Sequence, residues 1–206
     1  MKILLISAGT KKGGATERAV WEAENTLKKY QITYEKFNLY TSAITTCSGC
    51  GACKTTGRCI YNDEALKLAD ICAGFDGYII FTPVHYGGAT GAIKATLSRL
   101  FYSKKSELEY KPAAAIAVSR RGGNVTALEE ITRFFTFASM PSVSGNYPGI
   151  IHGTNAEEIE KDCEGLQTIR SIVDNMVWLI RCIDAGKSIG INHPVPEEKI
   201  KTNYIS

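Results

Sequence analysis

Four cysteines crowd one short segment, Cys47, Cys50, Cys53 and Cys59, in the spacing C-x2-C-x2-C-x5-C. Thiolates in such close succession, interleaved with Gly49, Gly51 and Gly57, can fold around a compact metal centre. Zinc ribbons usually set two C-x2-C pairs further apart. The run C-x2-C-x2-C is more typical of a [4Fe–4S] cluster whose fourth ligand follows later, a place that Cys59 can fill. Zinc is the minor alternative, and free thiols in a loop at a subunit interface need no metal. Cys72, Cys163 and Cys182 fall in helical patterns and are expected to be small buried apolar residues.

A second element with chemistry in it is the turn Gly9-Thr10-Lys11-Lys12-Gly13-Gly14-Ala15-Thr16-Glu17. It joins an apolar strand to a helix. Its glycines let the backbone turn tightly and expose N–H groups. The helix that follows adds free N–H groups and the positive end of its dipole. The Thr16 hydroxyl can cap the helix or bond an oxygen, and Lys11 and Lys12 add charge. These features make a phosphate cradle, although a plain turn that binds nothing uses the same residues. The nucleotide-triphosphate loop Gly-x4-Gly-Lys-Ser/Thr is excluded, because Ala15 stands where its lysine belongs. The dinucleotide fingerprint Gly-x-Gly-x-x-Gly is absent as well. A mononucleotide cofactor with one phosphate remains.

Two further loops follow buried strands. Thr82-Pro83-Val84-His85-Tyr86-Gly87-Gly88-Ala89-Thr90 sets two rings beside exposed backbone, where a flat heteroaromatic ligand could lie. Read alone, it is equally a proline-stopped strand end with a helix-capping turn. Ser119-Arg120-Arg121-Gly122-Gly123-Asn124 carries arginines that are either solvated or placed to stabilise a reduced, anionic ring.

The elements that must position these loops alternate in type. Strands are expected over 2–7, 33–39 (a polar edge strand), 77–82 closed by Pro83, 113–119 and 141–145. Helical spacing marks 16–30, a start at Asn62-Asp63-Glu64, the stripe Ile93, Leu97 and Leu100, the stripe Leu128, Ile131, Phe135 and Ala138, and a long last helix from Leu166 to Ile183. Residues 41–62 read as a Cys/Gly-rich loop. Apolar strands separated by helices imply an α/β fold, a doubly wound five-stranded parallel sheet covered on both faces. Residues 1–186 form one domain, and 187–206, with Pro194 and Pro196, an extended tail. In such a sheet the loops after strands one, three and four share one edge.

The chain of 206 residues suits one domain, and its 44% apolar and 22% charged residues are those of an ordinary globular protein. With 24 basic and 21 acidic residues it has no electrostatic footprint for nucleic acid. No apolar run is long enough for a membrane span, and the start lacks a signal-peptide core. A cytoplasmic protein is expected, with its seven cysteines as thiols or metal ligands rather than disulfides.

The combination of Gly9–Thr16, the Cys47–Cys59 cluster, Pro83-Val84-His85-Tyr86-Gly87, Lys94 and Arg99 in the next helix, and Arg121-Gly122-Gly123 resembles the flavodoxin-like NAD(P)H-dependent FMN reductases, in their iron–sulfur flavoprotein branch. The resemblance implies a flavodoxin-like sheet of order 2-1-3-4-5 with FMN at the switch point between strands one and three. It places Gly9, Lys11, Gly14, Ala15 and Thr16 at the FMN phosphate, and Pro83, Val84, His85, Tyr86, Gly87 and Gly88 around the isoalloxazine. Ser119, Arg121, Gly122 and Gly123 border the ring's other side, and Cys47, Cys50, Cys53 and Cys59 hold the cluster. The chain departs from the family where Gly9-Thr10-Lys11 and Ala15 replace the usual Ser-Pro-Arg and Asn. It departs again where His85 replaces Tyr, a ring that can carry a proton near neutral pH.

The implied function is an FMN-dependent oxidoreductase. It passes electrons from NAD(P)H or a ferredoxin-like donor through FMN and a [4Fe–4S] cluster to a small-molecule or protein acceptor. Its rivals are an FMN-only quinone or FMN reductase and a non-catalytic redox carrier or sensor. A homodimer or homotetramer is expected, joined through the Cys loop and tail.

Overall fold

The computed structural model describes residues 1–198, 200–202 and 204. Strand β1 (Lys2–Ser7) leads through the Gly-rich turn into α1 (Ala15–Lys29), and β2 (Thr33–Asn38) returns along the sheet edge. A long loop carries α2 (Ala52–Thr56) and ends at α3 (Glu64–Ile71), which one 3-10 turn (Cys72–Gly74) joins to β3 (Gly77–His85). Next come β4 (Gly88–Ala89), α4 (Gly91–Leu108), β5 (Ala113–Ser119) and α5 (Asn124–Phe137). The chain closes with β6 (Ile150–His152), α6 (Ala156–Lys161) and α7 (Cys163–Ser188).

Five parallel strands lie in the order β2-β1-β3-β5-β6, and β4 pairs antiparallel with the end of β3. Without that two-residue ribbon, the order is the 2-1-3-4-5 of a flavodoxin-like sheet. The strand period of two splits the core into two layers. Leu4, Ile6, Tyr78 and Ile80 face α3, α4 and α5, while Ile3, Leu5, Ile79 and Phe81 face α1 and α7. Each of these side chains is almost wholly buried, which stabilises the fold by roughly 1.5–3 kcal/mol per large aliphatic residue.

Three expectations need correction. The last strand is Ile150–His152, not 141–145; Ser142 makes an isolated parallel bridge to Ala113, and the register with β5 begins at Ala117 and Ile150. Pro83 does not close β3, which runs on to His85 and pairs with β4. Tyr86 and Gly87 form the two-residue turn between them, with φ of 48° and 81°. Positive φ at both positions is the mark of a type I′ hairpin turn. Cys163 and Cys182 are exposed on α7, whereas Cys72 is buried as expected. The α7 stripe that covers the sheet is Ile169, Ile172, Val173, Met176 and Ile180, and Cys182 lies outside it.

After Ser188 the described residues carry no helix or strand, and the Tyr110 and His193 rings stack 4.3 Å apart. The tail expected over 187–206 includes Lys199, Asn203, Ile205 and Ser206, which lie outside the described residues. Among the described residues no helix is long and apolar enough to cross a membrane.

Candidate functional site

The loops after β1, β3, β5 and β6 meet at the carboxyl edge of the sheet, where the strand order reverses. They enclose a cleft of about 330 Å3 lined by Gly9, Lys11, Gly14, Ala15, Thr16, Pro83, Val84, His85 and Ser119. That volume lies within the range of small-molecule sites. The cleft lining also takes in Thr10, Val118, Arg120, Gly153 and Thr154. Tyr86, Gly87, Gly88, Arg121, Gly122 and Gly123 stand outside the lining: Arg120, not Arg121, turns to the cleft. A larger cleft of about 650 Å3 opens between α1 and α7, but it is lined by surface residues such as Lys29, Gln167 and Asp174, away from this edge.

The β1 loop has the build of an anion cradle. Gly14 is the N-cap of α1, and no side chain caps the helix among the described residues, Thr16 included. The helices α3, α4, α6 and α7 are each capped by a side chain, from Asp63, Thr90, Asn155 and Asp162, whereas α2 and α5, like α1, start at an uncapped glycine. The first turn of α1 is therefore open to an outside acceptor. Gly13 sits at φ +66° with open space where a Cβ would stand. Its N–H donates to the Glu17 carboxylate, which also accepts from Tyr40 Oη at 3.1 Å, so the loop is braced before any ligand arrives.

The β3–β4 hairpin is fastened from α5. The Glu130 carboxylate accepts from the Ala89 N–H at 2.7 Å and from Lys94 Nζ at 3.0 Å. Burial pushes this carboxyl up, but the Lys94 ammonium and the Ala89 N–H outweigh it and hold it below the ordinary range. A carboxyl lowered by folding stabilises the protein above its unfolded pKa, and the stability is lost as pH falls through the folded value. As pH falls from neutrality to below the unfolded glutamate value, the hairpin is therefore expected to lose this tie. Glu130→Gln should lose less stability over that interval than the wild type, as read by denaturant midpoints at each pH. Equal losses would remove Glu130 from the account.

On the β5 side, Ser119 Oγ donates to Asn124 Oδ1 at 2.6 Å and lies 3.3 Å from His152 Nδ1. Asn124 Nδ2 donates to the Ala117 carbonyl at 2.9 Å. Ser119 is thus committed to bracing its own loop. Gly123, at φ +90°, packs against the hairpin so closely that a Cβ would stand 2.7 Å from Gly87 Cα and 2.8 Å from Val84 Cγ1. Tyr86, wholly exposed at φ 48°, stands at the tip of that hairpin.

Cys47, Cys50, Cys53 and Cys59 line one cavity of about 170 Å3, with Arg99, Tyr61 and Tyr102 in its wall. Among the described residues, no carboxylate or imidazole lines it. Gly51 and Gly57, at φ 77° and 69°, bracket the single turn α2 that carries Cys53. Among the described residues, no three Cys, His, Asp or Glu side chains converge as a single metal ion requires. A zinc ion needs its donors within about 2.3 Å of one point, whereas each thiolate of a four-iron cluster binds its own iron. Four thiols that line one cavity without meeting at one point therefore fit the cluster better than zinc.

The neck of this loop is closed by Arg99, which is 2% exposed. Its guanidinium pairs with Asp63 and donates to the carbonyls of Thr45 (3.1 Å) and Tyr61 (2.8 Å) and to Cys59 Sγ (3.3 Å). Burial pushes the Asp63 carboxyl up, but the Arg99 bond and the Thr45 N–H hold it low.

A parallel sheet of this order with its cleft at the switch point defines a flavodoxin-like protein. Among solved structures, RosB with bound 8-demethyl-8-formylriboflavin-5'-phosphate superposes with a TM-score of 0.70 at 15% identity, over 100% of this chain and 93% of RosB. A flavodoxin, WrbA-like protein from Agrobacterium tumefaciens gives 0.61 at 14% identity, over 88% and 97%. An iron–sulfur flavoprotein of Methanocaldococcus jannaschii is 30% identical over 191 residues, which cover 89% of this chain and 99% of the relative. The family described as NADPH-dependent FMN reductase matches residues 1–155. The chain belongs to that family, in its iron–sulfur flavoprotein branch.

Proposed function

We propose that the chain is an FMN-dependent oxidoreductase that takes electrons from NAD(P)H or a ferredoxin-like donor and delivers them to a small-molecule or protein acceptor. The observation that carries this reading is the convergence of the β1, β3 and β5 loops on one cleft beside the uncapped start of α1. In it, Gly9, Lys11, Gly14, Ala15 and Thr16 receive the cofactor phosphate through backbone N–H groups, the helix dipole and the lysine charge. Pro83, Val84 and His85 wall the ring side, with Tyr86, Gly87 and Gly88 at the hairpin rim. Ser119 and Arg120 form the opposite border, with Arg121, Gly122 and Gly123 outside the lining, and the Arg120 charge favours the more negative, reduced ring. Bound FMN would supply two-electron and one-electron redox chemistry. Cys47, Cys50, Cys53 and Cys59 would hold a [4Fe–4S] cluster, which would supply one-electron redox chemistry. The protein works in the cytoplasm as a homodimer or homotetramer.

FMN titration of the flavin-free protein tests the cleft. Wild type is expected to quench FMN fluorescence with micromolar affinity or better. Gly13→Val puts a β-branched residue at φ +66° and is expected to raise Kd at least about tenfold, near 1.4 kcal/mol. An unchanged Kd would show that the β1 loop does not grip the phosphate.

A further inference from the structure

We propose that Arg99 is a positioning residue for the four-thiol cage: it locks the loop closed and, through one N–H···S bond to Cys59, raises the reduction potential of the iron–sulfur centre held there. The inference rests on the cluster reading above.

Arg99 gathers both ends of the cysteine segment onto α4. Thr45 precedes Cys47, and Tyr61 and Asp63 follow Cys59, so the three guanidinium bonds to these residues shut the loop at its neck. Asp63 adds a direct cross-link by accepting the Thr45 N–H at 3.1 Å, while its other oxygen caps α3. The loop is therefore closed before any metal arrives, and the chain does not meet the full entropy of ordering it at loading.

The fourth bond of Arg99 is of another kind. Nε–H points at Cys59 Sγ, 3.3 Å away. Two of the other sulfurs meet neutral backbone: Cys47 Sγ accepts the Gly49 N–H at 3.5 Å, and Cys53 Sγ lies 3.8 Å from the Tyr102 carbonyl oxygen. Among the described residues, Cys59 is thus the cysteine of the four with a cationic hydrogen-bond donor. Reduction adds one electron to an anionic centre and breaks no bond. A positive donor on a ligand sulfur draws off electron density and favours that reduced state. Because Arg99 is buried, salt screens it little, and because a guanidinium does not deprotonate in proteins, its effect does not fade with rising pH.

The test reconstitutes wild type, R99K and R99Q anaerobically with iron and sulfide, then measures iron per chain and the midpoint potential by dithionite titration. Wild type should take up about four irons per chain. R99Q keeps an N–H donor without charge, and its midpoint should shift negative; R99K keeps charge without the planar fork and should shift less. An iron-loaded R99Q with the wild-type midpoint overturns the role of Arg99. A wild type that takes up no iron overturns the cluster itself, and this inference with it. Should neither variant fold, arginine-labelled wild type still decides. One arginine Nε–H should exchange slowly in the iron-free protein and broaden on loading, and no such change on loading overturns the proposal.

Discussion

Arg99→Ala is expected to lower the free energy of unfolding by about 3–5 kcal/mol, the usual cost of removing one partner from a buried ion pair. The side chain is 2% exposed and Asp63 is 14% exposed, so the carboxylate left behind stays largely shielded from water. The Thr45 and Tyr61 carbonyls lose their donor in the same step. The loss should be local as well as global. Amide exchange should accelerate across 45–63 and at the start of α3, which Asp63 caps, while the strands β1, β3 and β5 keep their protection. Chemical denaturation and hydrogen exchange read both. A destabilisation below about 1 kcal/mol would mean that the pair is solvated like a surface bridge.

Gly123→Ala is expected to destabilise by about 2–4 kcal/mol and to weaken FMN binding at least tenfold. Two costs add at this position. A φ of +90° lies outside the region that alanine tolerates, and the new methyl would meet Gly87 Cα at 2.7 Å. The hairpin tip would have to move away from the β5 loop, and these two loops wall the cleft. Gly122→Ala is the control, because open space surrounds that position. If both alanines cost the same, the contact between the two loops does not shape the site.

Much of this architecture is legible in the sequence. Runs such as Ile3 to Ile6 and Ala113 to Val118 are long, apolar and bounded by turn residues, so a parallel sheet and its three Gly-rich edge loops follow from pattern alone. The failures have physical causes. Strand β6 has three residues, too few to show a period, and the polar stretch before it mimics a strand end. Pro83 is a stop signal in most contexts, yet here it pairs with Val118 in the parallel ladder while β3 runs on into a hairpin. Arg99 and Glu130 sit among other charges on their helices, such as Lys94 and Lys104 on α4 and Glu129 and Arg133 on α5, and nothing in their spacing tells that one closes the cysteine loop and the other pins a hairpin. Their partners, Asp63 and Ala89, are 36 and 41 positions away. Arg120 and Arg121 are neighbours of equal chemistry, and the twist of the β5 loop decides which one reaches the cleft. Cys163 and Cys182 are exposed although cysteine is usually buried, because residue type averages over helix faces.

The cradle and the cage stand on the same scaffold but are built by different means. The cradle uses backbone: an uncapped helix start and glycine turns. The cage uses side chains, and its closure depends on one arginine. A protein that loses the cage should therefore keep its flavin, and the reverse dissociation separates an FMN-only reductase from a two-centre one.

The most direct measurement is the absorption spectrum of protein purified without oxygen, with flavin and iron counted per chain, for wild type and Cys50→Ser. The account predicts one FMN and about four irons per wild-type chain, with two flavin bands under a broad brown shoulder that dithionite bleaches. In Cys50→Ser the iron and the shoulder should go while the yellow flavin stays. A colourless wild type that takes up no FMN on addition would contradict the account at its root, and equal iron in both proteins would contradict the ligand set.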